Sequence, residues 1–334
     1  MSEKKERMIF DVAYQPQVRT VRDTQRIMLD VLIATLPIAG FGVYRFGFHA
    51  LLLMVSSMAA AVFFEWAYRK LLHKSITIDD FSAAVSGLLI VMVLPPQTPV
   101  WMVVIGDFFA IVIVKQLYGG IGKNFLNPAL AGRAFLTASY SGVLTVVVID
   151  GVTAATPLGY LYGETPTPYT LAQSFLGAIP GSVGEISTLA ILAGAAYLII
   201  RKVIRWRIPL SVLGTVFFVS LIFGHKGYGN FEWALQNVCA GGVMFTGIFM
   251  ATDYSTSPVT IPGQIVYGIG IGLLTMLIRY FGGYAEGCSY AILIMNCCAF
   301  AIDKLCHRPQ FGVTREDLAA EKAAKKAAKK EAVL

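Results

Sequence analysis

Charge is scarce in this chain: Asp, Glu, Lys and Arg make up 14% of 334 residues, while 56% are hydrophobic and the mean hydropathy is +0.65. A soluble domain carries roughly a quarter charged residues, so that class is excluded and an integral membrane protein is indicated. The Gly-x-Gly-x-x-Gly fingerprint is missing, which leaves a dinucleotide without its usual phosphate-binding turn. Cysteine is sparse: Cys239, Cys288, Cys297, Cys298 and Cys306 fall in or beside apolar runs without four-thiolate spacing. They read as small buried hydrophobes, and no iron–sulfur cluster is assigned. His49 and His73 sit singly at expected helix ends, so no metal ligand is assigned either. From Ala134 to Ile200 there is no Lys or Arg at all, whereas Asp150, Glu164 and Glu185 are present.

What the chain does have is apolar runs of the ~20 residues needed to cross ~30 Å of hydrocarbon. Ten are expected, at about 26–45, 49–68, 81–95, 99–118, 124–140, 187–203, 208–224, 233–251, 263–280 and 287–304. Lys4, Lys5, Arg7, Arg19, Arg22 and Arg26 precede the first run, Arg69, Lys70 and Lys74 follow the second, and Arg201, Lys202, Arg205 and Arg207 follow the sixth. The positive-inside rule makes those segments cytoplasmic and puts the loop without cations outside. Both termini are then cytoplasmic. No cleavable leader is expected, because the first run begins only after the charged stretch Ser2 to Arg26.

Five parts follow: an arm over 1–25 suited to anionic headgroups or a partner subunit, a first set of five helices over 26–140, an extracytoplasmic loop over 141–186, a second set over 187–304, and a basic tail over 305–334. In the tail, Lys322, Lys325, Lys326, Lys329 and Lys330 share one helical face opposite alanines, which fits a solvated tail or a strip on the leaflet. Aligning Tyr118-Gly119-Gly120 with Phe281-Gly282-Gly283 superimposes short span, turn, long span and Gly-Gly in both halves. With five spans each the halves run in opposite senses. Inverted repeats of this kind place the working site near the midplane, with Pro128, Pro258 and the glycine pairs marking either cavity-lining breaks or tight turns.

Ionisable groups inside spans cost ~2.5–3.5 kcal/mol each and so carry information. Asp30, Glu65, Asp107 and Asp303 lie in or near the expected helices. Any of them can instead snorkel or pair; Glu65 has Arg69 one turn away and Asp303 has Lys304 beside it, and of the four Asp107 has the best claim to an ion or proton path.

The remaining feature is the small-residue turn Asp150-Gly-Val-Thr-Ala-Ala-Thr-Pro-Leu158. Pro157 biases Thr156 toward extended backbone, exposing its hydroxyl, and free N–H groups over 152–155 suit a phosphate. Taken alone the motif is weak and reads first as a solvated Thr-Pro loop. Asp150, Thr153, Ala155 and Thr156 fall on the pattern Asp-x-x-Ser/Thr-x-Ala/Ser-Thr. That pattern resembles the flavinylation motif of the NqrB/RnfD membrane flavoproteins, which serve in sodium-translocating NADH:quinone reductases and in Rnf ion-translocating oxidoreductases. Gly119-Gly120, Asn127-Pro128-Ala129, Gly132-Arg133, Thr252-Asp253 and Phe281-Gly282-Gly283-Tyr284 resemble further landmarks of the same family.

The resemblance implies an all-α integral membrane protein with about ten transmembrane helices as two inverted five-helix repeats, similar to urea and ammonium channels. It implies FMN on Thr156 through a phosphoester made by a flavin transferase, and a non-covalent riboflavin for which no residue is identified. Asn127 and Arg133 are candidates for a flavin's polar edge, or simply for helix-end anchoring. The chain would relay electrons within an Rnf-type translocase between ferredoxin and NAD, beside an extracytoplasmic FMN subunit and iron–sulfur subunits, in a bacterial or archaeal cytoplasmic membrane. It would not act on NADH or ferredoxin alone. The first span begins near residue 26 without a long N-terminal extension, which favours the Rnf type over the quinone-reductase type. The rival is a solute or ion channel, since fold alone does not fix function.

Overall fold

The computed structural model describes residues 24–144, 147–149, 152–154, 157–162, 168–224, 230–282 and 286–306. In chain order its helices are α1 (Thr24–Phe46), α2 (Phe48–Leu71), α3 (Ser82–Met92), α4 (Val100–Phe108), α5 (Pro128–Ser139), α6 (Ser141–Leu144), α7 (Pro157–Leu161), α8 (Leu171–Leu176), α9 (Thr188–Ile200), α10 (Arg207–Ile222), α11 (Asn230–Cys239), α12 (Val243–Phe245), α13 (Ile261–Phe281) and α14 (Cys288–Leu305). π-Helical turns extend α4 over Phe109–Gln116 and α12 over Thr246–Met250. A small antiparallel hairpin pairs β1 (Val147–Ile149) with β2 (Val152–Ala154), Val148 opposite Thr153.

The fold is all-α, apart from that hairpin, and its helices are built for hydrocarbon. Along α2 the residues Ala50, Leu53, Met54, Ser57, Ala61, Glu65 and Arg69 are buried at three- and four-residue spacing. Phe48, Leu51, Leu52, Val55 and Phe63 point away from the protein. In water such a face is an aggregation patch; against lipid it is the solvated side. Helix starts are set by sequence. Asn127 caps α5 by accepting from the Ala129 and Leu130 amides, with Pro128 at the first helical position, and Ser187 caps α9 by accepting from Ala190.

Each of the ten expected apolar runs falls on helix, but their lengths differ. Among the described residues four helices, α1, α2, α13 and α14, are long and apolar enough to cross a membrane singly. The α11 helix and α12 with its π-helical extension, bent by 65° at their break, are long and apolar enough only when taken together, as a broken span or a re-entrant loop. The α3, α9 and α10 helices are shorter, of 11, 13 and 16 residues.

The two halves repeat one order of packing partners. The α2 helix packs on α3 and α4, and α5 packs on the π-helical end of α4; likewise α10 packs on α11 and α13, and α13 on α14. The halves meet through α1 against α9 and α5 against α14, and one hydrophobic core runs through both. At the α1–α9 crossing Gly194 lies against the Ala34 carbonyl so closely that a Cβ would clash.

Candidate functional site

The described residues show how both ends of the motif loop are fastened. On the way in, Leu144 of α6 is buried in the main core. On the way out, Leu158 and Leu161 of α7 are fully buried against Trp233 and Ala240. The Tyr162 hydroxyl donates to Asn237 Oδ1 at 2.6 Å, and its ring meets those of Trp233 and Tyr280 edge-on, at 5.3 and 5.5 Å. Burial pushes the Tyr162 phenol up, which keeps it a neutral donor. Asp150, Ala155 and Thr156 lie outside the described residues, as does the side chain of Thr153 in β2. The Asp150-to-Thr156 segment is therefore bounded by two anchored segments, one on each half of the helix bundle.

Directly beneath α7 is the break between α11 and α12. Gly241 there has φ +77°, and Leu158 packs on it. A broken helix leaves carbonyls of its last turn without amide partners. Arg279, buried on α13, supplies them: Nη1 donates to the Asn237 carbonyl at 2.7 Å and Nη2 to that of Ala240 at 3.4 Å. Its Nε has no acceptor among the described residues.

On the other side of the break three ionisable side chains converge from segments far apart in sequence. Arg133 of α5 donates to Glu286, just before α14, and to Ser289. Glu185, in the buried stretch leading to α9, lies within reach of Arg133 and Glu286 and against the backbone of Gly242. That stretch is held by the Val183 and Gly184 amides, which donate to the Leu94 and Met92 carbonyls at 3.2 and 2.7 Å.

At the opposite end of the bundle is a small cavity, partly open to the surface and lined by Met28, Lys115, Asn127, Leu198, Phe249 and Asp253 among others. Asn127 faces it and donates to the Met250 carbonyl at 3.2 Å. Asn127 and Arg133 are six residues apart, hence roughly 120° apart around a helix, and the structure does not bring them together. Lys115 Nζ donates to Glu65 Oε2 at 2.7 Å and to Ser82 Oγ at 2.6 Å, while Thr77 donates to Glu65 Oε1 at 3.0 Å. Glu65 is therefore paired mainly with Lys115, and its neighbour Arg69 stands further off at 3.7 Å. Asp303 accepts from the Val259 and Thr260 amides at 2.9 and 3.0 Å and so caps the start of α13.

Asp107 lies away from this cavity, fully buried between α2, α3 and α4. Ser57 Oγ is 2.9 Å from its Oδ1 and 2.8 Å from the Gly87 carbonyl oxygen, and its Oδ2 has no partner among the described residues. A buried carboxyl atom without a partner is costly, which sets Asp107 apart from Glu65 and Asp303 and from Asp30, which accepts from the Tyr197 hydroxyl at 2.9 Å and from Arg201 at 3.2 Å.

The sequence profile of the NQR2, RnfD, RnfE family matches residues 11–312. This chain belongs to that family. The D subunit of the Na(+)-translocating ferredoxin:NAD(+) oxidoreductase complex of Acetobacterium woodii is 44% identical over 311 residues, 91% of this chain and 96% of the relative. The D subunit of the proton-translocating ferredoxin:NAD(+) oxidoreductase complex of Clostridium ljungdahlii is 42% identical over 325 residues, 92% and 97%. The D subunit of the ion-translocating oxidoreductase complex of Stutzerimonas stutzeri is 34% identical over 324 residues, 86% and 92%. The first two of these NQR2, RnfD, RnfE relatives are named for different ions at nearly equal identity, so overall similarity does not select sodium or proton for this member.

Arg279 and Glu286 do not stand out in the sequence, and Glu185 is marked there only as an acid in the loop without cations. A signal exists for Arg279, a cation in the last turn of an apolar run. Nothing local marks Glu185 and Glu286 as neighbours.

Proposed function

We propose that this chain is the membrane flavoprotein subunit of an Rnf-type complex. It holds FMN covalently on Thr156 and relays electrons during ion-translocating transfer between ferredoxin and NAD. The observation that carries the reading is the motif of Asp150, Thr153, Ala155 and Thr156 in a chain that matches its Rnf-type relatives almost end to end. The fastened loop adds support: an attached cofactor needs a fixed station, and α6 and α7 supply one.

The residues present fit a phosphoester there. Leu158, two residues after Thr156, packs on Gly241 beside the Arg279 guanidinium, which has a donor to spare. Arg279 and the loop amides would neutralise and orient the phosphate, and the Leu158–Trp233 packing would keep water from the helix break. FMN supplies the one- and two-electron chemistry. Thr156 supplies the ester oxygen, Thr153 a hydrogen bond to the phosphate, and Asp150 a carboxylate toward the flavin transferase. Asn127 and Arg133 would meet a flavin edge only from separate faces of α5. No step on ferredoxin or NADH is assigned to this chain. Those belong to iron–sulfur and extracytoplasmic FMN subunits, and riboflavin would be held without a bond.

The topology that goes with this reading is ten spans in two inverted repeats within a bacterial or archaeal cytoplasmic membrane, the loop outside and both termini inside. The repeated packing order supports it. Reporter fusions at Thr165 and Leu334 should then report opposite compartments.

The cavity at the opposite end favours a second reading, a solute or ion channel. One experiment separates the two. In-gel fluorescence of the denatured protein, with mass spectrometry of the peptide spanning 150–158, should place FMN on Thr156; a peptide without flavin leaves the channel.

A further inference from the structure

Glu185 is 2% exposed, and neither carboxyl oxygen accepts a hydrogen bond of normal geometry among the described residues. A carboxylate so placed has little to offset the cost of its burial. The groups that face it are the Glu286 carboxyl, the Arg133 guanidinium and Ser182 of its own segment, with the Gly242 backbone packed on Oε1. Arg133 gives its hydrogen bonds to Glu286 and Ser289. Tyr290 acts on Arg133, and Arg279 acts on Glu286, but the hydrogen bonds of Arg279 go to carbonyls and the side-chain oxygen of α11.

The two carboxyls lie within hydrogen-bonding reach of each other. Carboxylate oxygens are acceptors only. Two of them in contact repel unless a proton lies between them, and then one acts as an acid donating to the other, as in other buried carboxyl pairs. Glu286 is the partner already neutralised by Arg133, which leaves Glu185 the acid.

We propose that Glu185 and Glu286 form a proton-binding site at the interface between the two helix sets, holding one proton between their carboxyls. The step is Glu185 carboxylate plus one proton giving the carboxylic acid, with solvent as source and sink; no electron is transferred and no bond other than O–H is made. Its place against the α11–α12 break, opposite the anchored loop exit, means that any movement of that break changes the Glu185 surroundings. This site is independent of the flavin.

The test is infrared difference spectroscopy of the purified full-length protein between acid and alkaline pH. The wild type should show a carboxylic C=O band that shifts in D2O and is lost in both Glu185→Gln and Glu286→Gln. In the first, the amide donates to Glu286; in the second, Glu185 becomes the ionised partner of Arg133. Glu185→Asp, which keeps an acid on a shorter arm, should shift the band without abolishing it. It serves if either amide variant fails to fold. A wild type without such a band, or variants that retain it unchanged, would overturn the site. Replacing choline chloride by sodium chloride at fixed pH should leave the band intact; its loss would assign the pair to a metal cation and also overturn the proposal.

Discussion

The Tyr162 hydroxyl and the Asn237 carboxamide, 75 residues apart, are joined by a 2.6 Å hydrogen bond that fastens the outgoing end of the motif loop to α11. Tyr162→Phe keeps the ring contacts with Trp233 and Tyr280 and deletes that bond. The expected loss is about 0.5–1.5 kcal/mol. Amide hydrogen exchange over 157–162 should quicken accordingly while covalent flavin is retained; unchanged exchange would show that ring packing alone holds the exit.

Within the motif, Thr156→Val should abolish gel-stable flavin, since valine keeps the volume and removes the ester oxygen. Thr153→Val should only lower flavin occupancy, because a hydrogen bond to the phosphate contributes about 0.5–3 kcal/mol. Asp150→Ala should slow loading by the transferase and leave membrane insertion normal. Fluorescence retained in Thr156→Val would move the attachment point.

Lys115 and Glu65 form a buried ion pair, with further hydrogen bonds from Lys115 to Ser82 and from Thr77 to Glu65. Removing one partner leaves a buried charge, so Lys115→Met should lower stability by about 3–5 kcal/mol. The double variant Glu65→Gln with Lys115→Met should recover much of that. Thermal unfolding of the three proteins in detergent reads the difference; equal losses in single and double variants would contradict the pairing.

Asp107 is enclosed, and among the described residues its one hydrogen bond is with Ser57. If the carboxyl lies on the ion path, Asp107→Asn should lower ion transport by the assembled complex while electron transfer measured with uncoupler survives. Asparagine fills the same volume, so insertion and flavin content should not change. Equal transport at limiting and saturating ion concentration would return Asp107 to a packing role.

Much of this protein is legible as a string. The apolar runs are local features that answer a local physical demand, the thickness of hydrocarbon; the lack of Lys and Arg over 134–200 and the Asp150-to-Thr156 pattern are equally local and are what the proposed orientation and attachment rest on. Helix position follows from them, and Asn127-Pro128 announces the cap of α5.

Span length and charge partners were decided only by tertiary structure. Glu65 has Arg69 one turn away, yet Lys115, 50 residues on, holds it at 2.7 Å, because the α2–α4 crossing brings that ammonium closer than the helix-bound guanidinium can reach. Asp303 sits beside Lys304 in sequence but caps α13. The α3 helix stops at Met92, inside the protein, where the Met92 and Leu94 carbonyls accept from the Gly184 and Val183 amides instead of reaching headgroups. Arg133 and Glu286 meet across 153 residues at the junction of the halves. A periodic pattern specifies which face of a helix is buried; it does not specify which distant side chain will be buried against it, because that depends on where the two halves pack.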